Sequence, residues 1–533
     1  MDKALKMGKD SATSSFQLFI ARILSTVILA ISAITVGIFI EDVDYGLYVI
    51  ALIPATTFLL FQDWGVGAAL TKYCAQYRTL KEEEKLRRTV VAGLTFAVVI
   101  GLALTLALFV LSGYIASILG EPESASLIAI ASISIFFTGI TVAPRAVFIG
   151  FERMDLAGIA LICQAVVYFA LSPSLVYLGY GAFGITVGYT FSYVVAGIVS
   201  VILLYFFIFR KLKAFRSPDY GLLRAMKTLL RFGVPIAIAT LIMGLLTQFY
   251  SFMMAYYCDA AIIGHYKVAL NFAVLISFFT TPIATVLFPA FSKLDSQNDQ
   301  QLLKSVFSSA VKYTTLFSLP VTVALMVLST PLINTLYGNK WAFSPFFLSL
   351  YLVQFLFIAV GGSIQSSLLQ GLGETKMLLK LEVLTFVIGV PLAIFLIPAF
   401  EIVGIILTGL FASLPSTFLG LYWIWKRFEV KVDFNSSTKI VLSSAVAGLA
   451  TYLFVNTFAG IAVFMLIMGA FLFLFIYLTS VSLIGALNQT DINNLRVMFS
   501  GLGIVSKLLE IPLAIIEVPL KFVAKRSKIR ESE

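Results

Sequence analysis

The sequence predicts an all-α polytopic membrane protein, and three observations predict it. Of the 533 residues 60% are hydrophobic and only 12% charged, about half the charged share that a soluble surface carries. The apolar residues fall in runs long enough to cross a bilayer, which takes about 20 residues per helix. The formal net charge of +10 is distributed as short Lys and Arg clusters between those runs, which is the positive-inside arrangement and not a nucleic-acid surface.

Taken in order, Lys3, Lys6 and Lys9 precede an apolar run at 16–40. That run is too long for a signal-peptide core and lacks a clear cleavage site, so it reads as an uncleaved first helix. Further runs at 45–71, 89–118, 124–149, 156–178, 182–209, 232–257, 261–291, 313–337, 343–370, 377–398, 402–425, 438–458 and 460–486 bring the prediction to fourteen transmembrane helices. With the N-terminus in the cytoplasm, all of the 37 Lys and Arg residues except Lys267 and Lys340 fall in or beside the segments on that side. The opposite loops are short and acidic, with Glu41, Asp42, Asp44, Glu121, Glu123, Asp259 and Glu401. An even helix count returns the C-terminus to the cytoplasm.

An internal repeat sets the domain organisation. Gly46-Leu-Tyr48-Val-Ile-Ala51-Leu52 matches Gly264-His-Tyr266-Lys-Val-Ala269-Leu270, and Ala107-Leu-Phe-Val-Leu-Ser112 matches Ala324-Leu-Met-Val-Leu-Ser329 at nearly the same offset. Six helices per copy make the repeats parallel, related by an axis along the membrane normal. The expected divisions are a six-helix lobe at 1–215, a second at 216–430, two further helices at 431–490 and a basic, membrane-surface tail at 491–533. Prolines inside the predicted helices, among them Pro54, Pro144, Pro235 and Pro320, with Gly361-Gly362 in the tenth, mark kinks or hinges.

The residues that carry chemistry are few. No GxxxxGK[ST] loop, GxSxG elbow or Cys/His pair is present. Three scattered cysteines and one histidine, His265, indicate neither a disulfide framework nor a metal site. One acidic stretch, Glu41-Asp42-Val-Asp44, invites comparison with the metal-holding motif of membrane glycosyltransferases, although its loop is too short to build a substrate site. Charges within the spans are more telling, since each costs about 2.5–3.5 kcal/mol on insertion scales unless it is paired or faces a wet cavity. Arg22 and Asp63 are nearly equidistant from the turn at Asp42 and Val43, which predicts an ion pair across the first hairpin, with Asp63 as a coupling group in an alternative role. Lys267 lies about two turns into the eighth helix, where the matching position of the second helix is Val49, and Asn271 and Thr281 share its face. Snorkelling to the outer headgroups is the plain alternative for Lys267. Tyr266 belongs to a tyrosine group that an aromatic belt or sugar stacking explains equally. Arg145, Arg231 and Glu382 stand near cytoplasmic helix ends, where they are ordinary boundary charges or the lining of an inward mouth.

Three sets of motifs resemble one family. They are Asp44-Tyr-Gly-Leu-Tyr48 followed by Asp63-Trp-Gly65-Val-Gly67-Ala-Ala-Leu-Thr-Lys72-Tyr73, then Gly264-His-Tyr266 with Phe288-Pro289-Ala-Phe-Ser292, then Gln370-Gly-Leu-Gly373 with Lys376. Together they resemble the polysaccharide-transport branch, the Wzx-like flippases, of the multidrug, oligosaccharidyl-lipid and polysaccharide exporter superfamily. The resemblance implies two six-helix lobes forming a V, alternately open to each side of a prokaryotic plasma membrane. It implies a transporter and not an enzyme, whose substrate is an isoprenoid phosphate or pyrophosphate carrying an oligosaccharide, moved from the cytoplasmic to the outer leaflet. Arg22 and Lys267 are then the phosphate-holding candidates, with Arg145, Arg231, Asn271 and Tyr266 as further substrate contacts, and Asp63 and Glu382 as ion-pair or coupling groups.

Membrane lipids and the glycosyltransferases or polymerase of the same pathway are the implied partners. No cofactor is implied, and a proton or sodium ion stays open as the coupling ion. Some relatives carry several arginines in the first helix, whereas this chain has Arg22 alone, which argues against a lipid-linked peptidoglycan precursor. Two rivals remain: a multidrug or cation antiporter of the same superfamily, which usually has twelve helices, and a membrane glycosyltransferase or polymerase.

Overall fold

The structure, a computed structural model, describes residues 2–212, 221–292, 299–458, 460–500, 510 and 513–517. Most of the tail expected over 491–533 lies outside these residues, as does the side chain of Thr281. Every regular element among the described residues is helical. Contacts divide the chain into two compact units, Met1–Lys267 with Ala393–Ile405, and Val268–Leu392 with Ile406–Glu533.

The first unit holds α1 (Asp2–Phe39), α2 (Asp42–Leu59), α3 (Val66–Thr79), α4 (Glu83–Ile118), α5 (Ala125–Gly150), α6 (Met154–Leu175), α7 (Gly181–Phe207), α8 (Leu222–Tyr257) and the start of α9 (Ala260–Ser292). The second holds the rest of α9, then α10 (Gln300–Val327), α11 (Ser329–Tyr337), α12 (Ser344–Leu352), α13 (Gly362–Gly371), most of α14 (Thr375–Phe428), α15 (Phe434–Thr457), α16 (Ala462–Leu483) and α17 (Gln489–Ser500). Among the described residues nine helical runs are long and apolar enough to cross a membrane, or up to eleven if two bent pairs each count as one span. One bend, of 57°, separates Leu222–Pro235 from Thr240–Tyr257, and the other, of 54°, separates Ser344–Val360 from Gly362–Gly371. Both fall where the sequence places a breaker, at Pro235 and at Gly361.

Two of the runs, Met154–Lys211 and Thr375–Phe428, are 58 and 54 residues long, well over twice the roughly 20 residues of one crossing. Each turns back on itself. Gly181 has φ 44° and ψ −129°, and Glu401, 220 positions on (401 minus 181), has φ 50° and ψ −125°. Glycine adopts that conformation freely, whereas a glutamate is strained in it. After each turn a glycine packs closely on the helix just left, Gly184 on Leu175 and Gly404 on the backbone of Leu396 and Ile397.

One predicted helix is two. The run at 45–71 breaks after Leu59, because Trp64 (φ 47°) and Gly65 (φ 72°) adopt left-handed backbone and the Asp63 carboxylate caps α3 by accepting from the Gly67 N–H at 2.8 Å. Averaged hydropathy does not register such a break, since Gln62 and Asp63 are flanked by apolar or small residues on both sides.

Side-chain distribution follows the bilayer. Leu102, Leu106, Phe109 and Val110 form one outward stripe of α4, Val110 being 78% exposed, while Gly101, Thr105 and Leu108 of the same helix are buried. Some buried hydroxyls are satisfied within their own helices, as when Thr186 donates to the Ala182 carbonyl at 2.7 Å and Ser200 to that of Ala196 at 2.7 Å. In the second unit α17 is fixed by charge: Lys312 of α10 meets Asp491 at 2.6 Å, with the side chains only 15% and 10% exposed.

Without a hydrophobic drive between helices in lipid, close packing depends on small residues. At the start of α2 a Cβ on Gly46 would overlap the Ala260 carbonyl, and one on Gly264 would overlap the Asp42 carbonyl. Gly46 and Gly264 are the equivalent positions of the repeated motif, as are Asp42 and Ala260, so the contact is reciprocal. We expect Gly46→Leu or Gly264→Leu to destabilise the protein by about 1–3 kcal/mol through overpacking, read as a lowered unfolding temperature in detergent. An unchanged midpoint would refute the close crossing.

Candidate functional site

The site grows from α1 and α5. Arg22 stands on the apolar α1, one turn before Ser25 and Thr26, whose hydroxyls donate to its carbonyl at 2.9 and 2.8 Å. Its side chain is exposed, and α1 packs along α6. Arg145 follows Pro144 on α5 and is half-buried. The Arg145 guanidinium lies within electrostatic reach of Arg22, of Tyr193 on α7 and of Asp63.

The expected ion pair between Arg22 and Asp63 is not formed. Asp63 accepts from the N–H groups of Gly67 and Gly65, and the cation acting on it is Arg145. The break after α2 explains the difference, because equal spacing from the Asp42 turn implies equal depth only along an unbroken hairpin. Beside Asp63, Gln62 donates to the Ile135 carbonyl. A cavity of about 20 Å³ lined by Gln62, Asp63, Gly67, Gly93 and Gly139 has room for one water and two polar groups to hold it.

Two guanidiniums therefore share one region of the first unit, and among the described residues neither Arg22 nor Arg145 forms an ion pair within 4.0 Å. Like charges in a partly desolvated region repel, and a ligand carrying more than one negative charge offsets that repulsion. A phosphate or pyrophosphate matches this in charge and in the forked geometry of arginine.

The other predicted residues lie on α8, α9 and α14. Lys267, half-buried on α9, makes no hydrogen bond or ion pair among the described residues, and Val49 at the matching position of α2 is also half-buried. Tyr266 is buried and Asn271 half-buried on the same helix. His265 is 5% exposed, with Nε2 3.8 Å from the Asp42 carboxylate. Arg231 is exposed on α8; beside it, the Lys72 ammonium sits 4.0 Å from the Phe232 ring centroid. Glu382 is half-buried on α14 in the second unit.

The acidic turn is used by the fold itself. Asp42 and Asp44 occupy the first turn of α2, where a helix N-terminus favours negative charge, and the Asp44 carboxylate abuts Gly181. Acidic loop residues of the first unit also gather. Partial desolvation, with Glu123 and Asp259 nearby, raises the Glu121 carboxyl above its ordinary range. The Cys258 thiol is pushed up to about 12 by burial, with Glu401 and Asp259 adding to the effect, so it stays protonated and unreactive at neutral pH.

Sequence reasoning missed a tyrosine group on α2, α6 and α7. Tyr48 and Tyr168 hold their hydroxyls 3.5 Å apart, and Tyr189 packs against Tyr48, Tyr168 and Tyr193 with ring centroids 6.3, 6.4 and 5.0 Å apart. The i, i+4 spacing of Tyr189 and Tyr193 was the available signal.

Residues 35–344, more than half of the chain, match the family described as Polysaccharide biosynthesis protein. Among curated relatives, the chain is 22% identical over 260 residues to the Probable low-salt glycan biosynthesis flippase Agl15 of Haloferax volcanii, covering 46% of this chain and 53% of that protein. It is 25% identical over 331 residues to the Lipopolysaccharide biosynthesis protein WzxC of Escherichia coli K12, covering 62% and 64%. The chain thus spans between half and two thirds of the length of these two relatives. Among solved structures, the lipid II flippase MurJ in an inward closed conformation superposes with a TM-score of 0.70 at 18% identity, covering 87% of this chain and 98% of that one. An inward-facing multidrug resistance MATE transporter of the MOP superfamily gives 0.64 at 16% identity, covering 78% and 98%. The fold is similar to that of the MurJ and MATE transporters, and by the match over residues 35–344 the chain belongs to the polysaccharide biosynthesis protein family.

Proposed function

We propose that this protein is a flippase that moves an isoprenoid phosphate- or pyrophosphate-linked oligosaccharide from the cytoplasmic to the outer leaflet of a prokaryotic plasma membrane by alternating access. The observation that carries the reading is the convergence of Arg22 and Arg145 with no ion pair within 4.0 Å on either among the described residues, Asp63 acting on Arg145 at longer range. Phosphate and sugars do not cross hydrocarbon unaided, while an isoprenoid tail need never leave it. A cationic site on membrane helices meets the first need. An apolar pocket of about 410 Å³ between α10 and α16, lined by Phe317, Pro320, Ala324, Phe473 and Leu474, is suited to the second.

Fourteen crossings in two parallel six-helix repeats plus α15 and α16 complete the proposal. The reversals at Gly181 and Glu401 support it by dividing each long run into two spans, and the reciprocal contact of Gly46 and Gly264 supports a pseudo-twofold relation between the copies. In this reading Lys267 is a second phosphate contact, Asp63 and Glu382 are groups for ion coupling, and the segments bearing Arg78, Arg153 and both termini face the cytoplasm.

A cation antiporter of the same fold is disfavoured by the sign of the site, since two arginines repel a cationic drug. The experiment is reconstitution into liposomes with a fluorescent isoprenyl pyrophosphate oligosaccharide. Transport between leaflets is expected, and Lys267→Ala should weaken binding at least about tenfold by removing one charge-assisted contact, while Asp44→Asn leaves transport intact. Transport lost in Asp44→Asn but kept in Lys267→Ala would favour the glycosyltransferase reading.

A further inference from the structure

The tyrosine group has no role in the phosphate chemistry, and its place in the helices is unusual. Tyrosines of membrane proteins concentrate at the headgroup level, where the hydroxyl reaches water. Tyr189 and Tyr193 instead lie 8 and 12 residues into α7, counted from Gly181, which at helical rise is about 12 and 18 Å from its start. Four phenols brought together at that depth are costly for a lipid-facing or purely packing role, since phenylalanine fills the same space without a hydroxyl to satisfy.

The group is not fully enclosed. Tyr48 is 4% exposed, but Tyr168, Tyr189 and Tyr193 are each only partly buried. Tyr168 stands nearly perpendicular to Tyr189, at 88°, and Tyr193 is inclined to it by 61°, so ring faces and edges of differing orientation are presented together. The Tyr189 hydroxyl lies within interaction range of those of Tyr168 and Tyr193. At one end the group adjoins the cationic site, because Tyr193 is within reach of Arg145.

Rings that offer an apolar face with hydroxyls at the rim match the chemistry of a pyranose, whose C–H face packs on aromatic surface while its hydroxyls both donate and accept. Neither a lipid tail nor a phosphate needs such a surface. We propose that Tyr168, Tyr189 and Tyr193, backed by Tyr48, form the subsite for the sugar units next to the phosphate bound at Arg22 and Arg145. The inference rests on the flippase reading and adds to it where the glycan is held.

The test separates sugar from phosphate. The full-length protein in nanodiscs is titrated with a bare isoprenyl pyrophosphate and with the same lipid carrying a tetrasaccharide headed by glucose, galactose or N-acetylglucosamine. The wild type should bind at least one glycosylated probe about tenfold more tightly than the bare lipid, and Tyr189→Ala or Tyr193→Ala should remove that gain while shifting bare-lipid affinity less than about twofold. Tyr189→Phe, which keeps the ring and the packing, should lose about threefold on the glycosylated probe alone and controls for misfolding. If the wild type shows no preference for any glycosylated probe, or the tyrosine variants weaken both probes equally, the sugar subsite is refuted while the phosphate site stands. Binding of neither probe by the wild type refutes the flippase reading and the subsite together. Transport abolished in Tyr189→Phe with glycan-lipid affinity unchanged would also overturn the proposal and point to a hydroxyl relay.

Discussion

Arg145→Ala is expected to bind an isoprenyl pyrophosphate about 10- to 100-fold more weakly than the wild type, the loss that follows from removing one charged hydrogen-bond partner. Arg22→Ala should behave alike. Arg145→Lys retains the charge but not the fork, and should recover only part of the affinity. A second readout distinguishes a binding role from a structural one. Because the two guanidiniums act on each other with the same sign, removing either relieves repulsion in the empty protein. The unliganded variants should therefore unfold at the wild-type temperature or slightly above it, while the stabilisation that ligand confers is lost. Destabilisation of the empty protein by Arg145→Ala, with ligand stabilisation intact, would exclude the phosphate site.

Asp491→Ala should lower stability by about 3–5 kcal/mol, the usual consequence of stranding one member of a buried ion pair. Lys312 meets Asp491 at 2.6 Å with little solvent, and the same carboxylate accepts from the Asn488 N–H at 2.9 Å and from the Tyr313 hydroxyl at 3.4 Å. Its loss leaves a buried ammonium and removes one of the two reciprocal capping bonds of α17 at once. Combining Lys312→Met with Asp491→Leu removes both charges and should restore most of the stability. Thermal unfolding in detergent measures all three proteins. A double variant as unstable as Asp491→Ala would assign the effect to the α17 cap and not to the charge.

Much of the helical fold was legible because a bilayer forces apolar runs into helices whatever their details. The runs at 156–178 and 182–209 correspond closely to α6 and α7, and Gly361-Gly362 marks the bend before α13. What hydropathy missed was backbone conformation. Trp64 and Gly65 in left-handed backbone end the second predicted helix early, and that break moved Asp63 away from Arg22. The candidate site was legible to the extent that charges in apolar helices are conspicuous, so Arg22, Asp63 and Arg145 were all identified. Their grouping was not legible, since it depends on how α1, α5 and α7 pack, and the tyrosines from three helices became a group only in space.

The contact of Gly46 with Ala260 and of Gly264 with Asp42 sets backbone directly against backbone. Helices that meet through interdigitated side chains resist a change of crossing angle, because knobs must leave their holes before the pair can move. At Gly46 and Gly264 the start of α2 and the start of α9 meet backbone to backbone instead, with the His265 imidazole set against the Asp42 carboxylate beside them, and at the two glycines the crossing has the character of a fulcrum, able to tilt through small angles with little repacking at the point of contact.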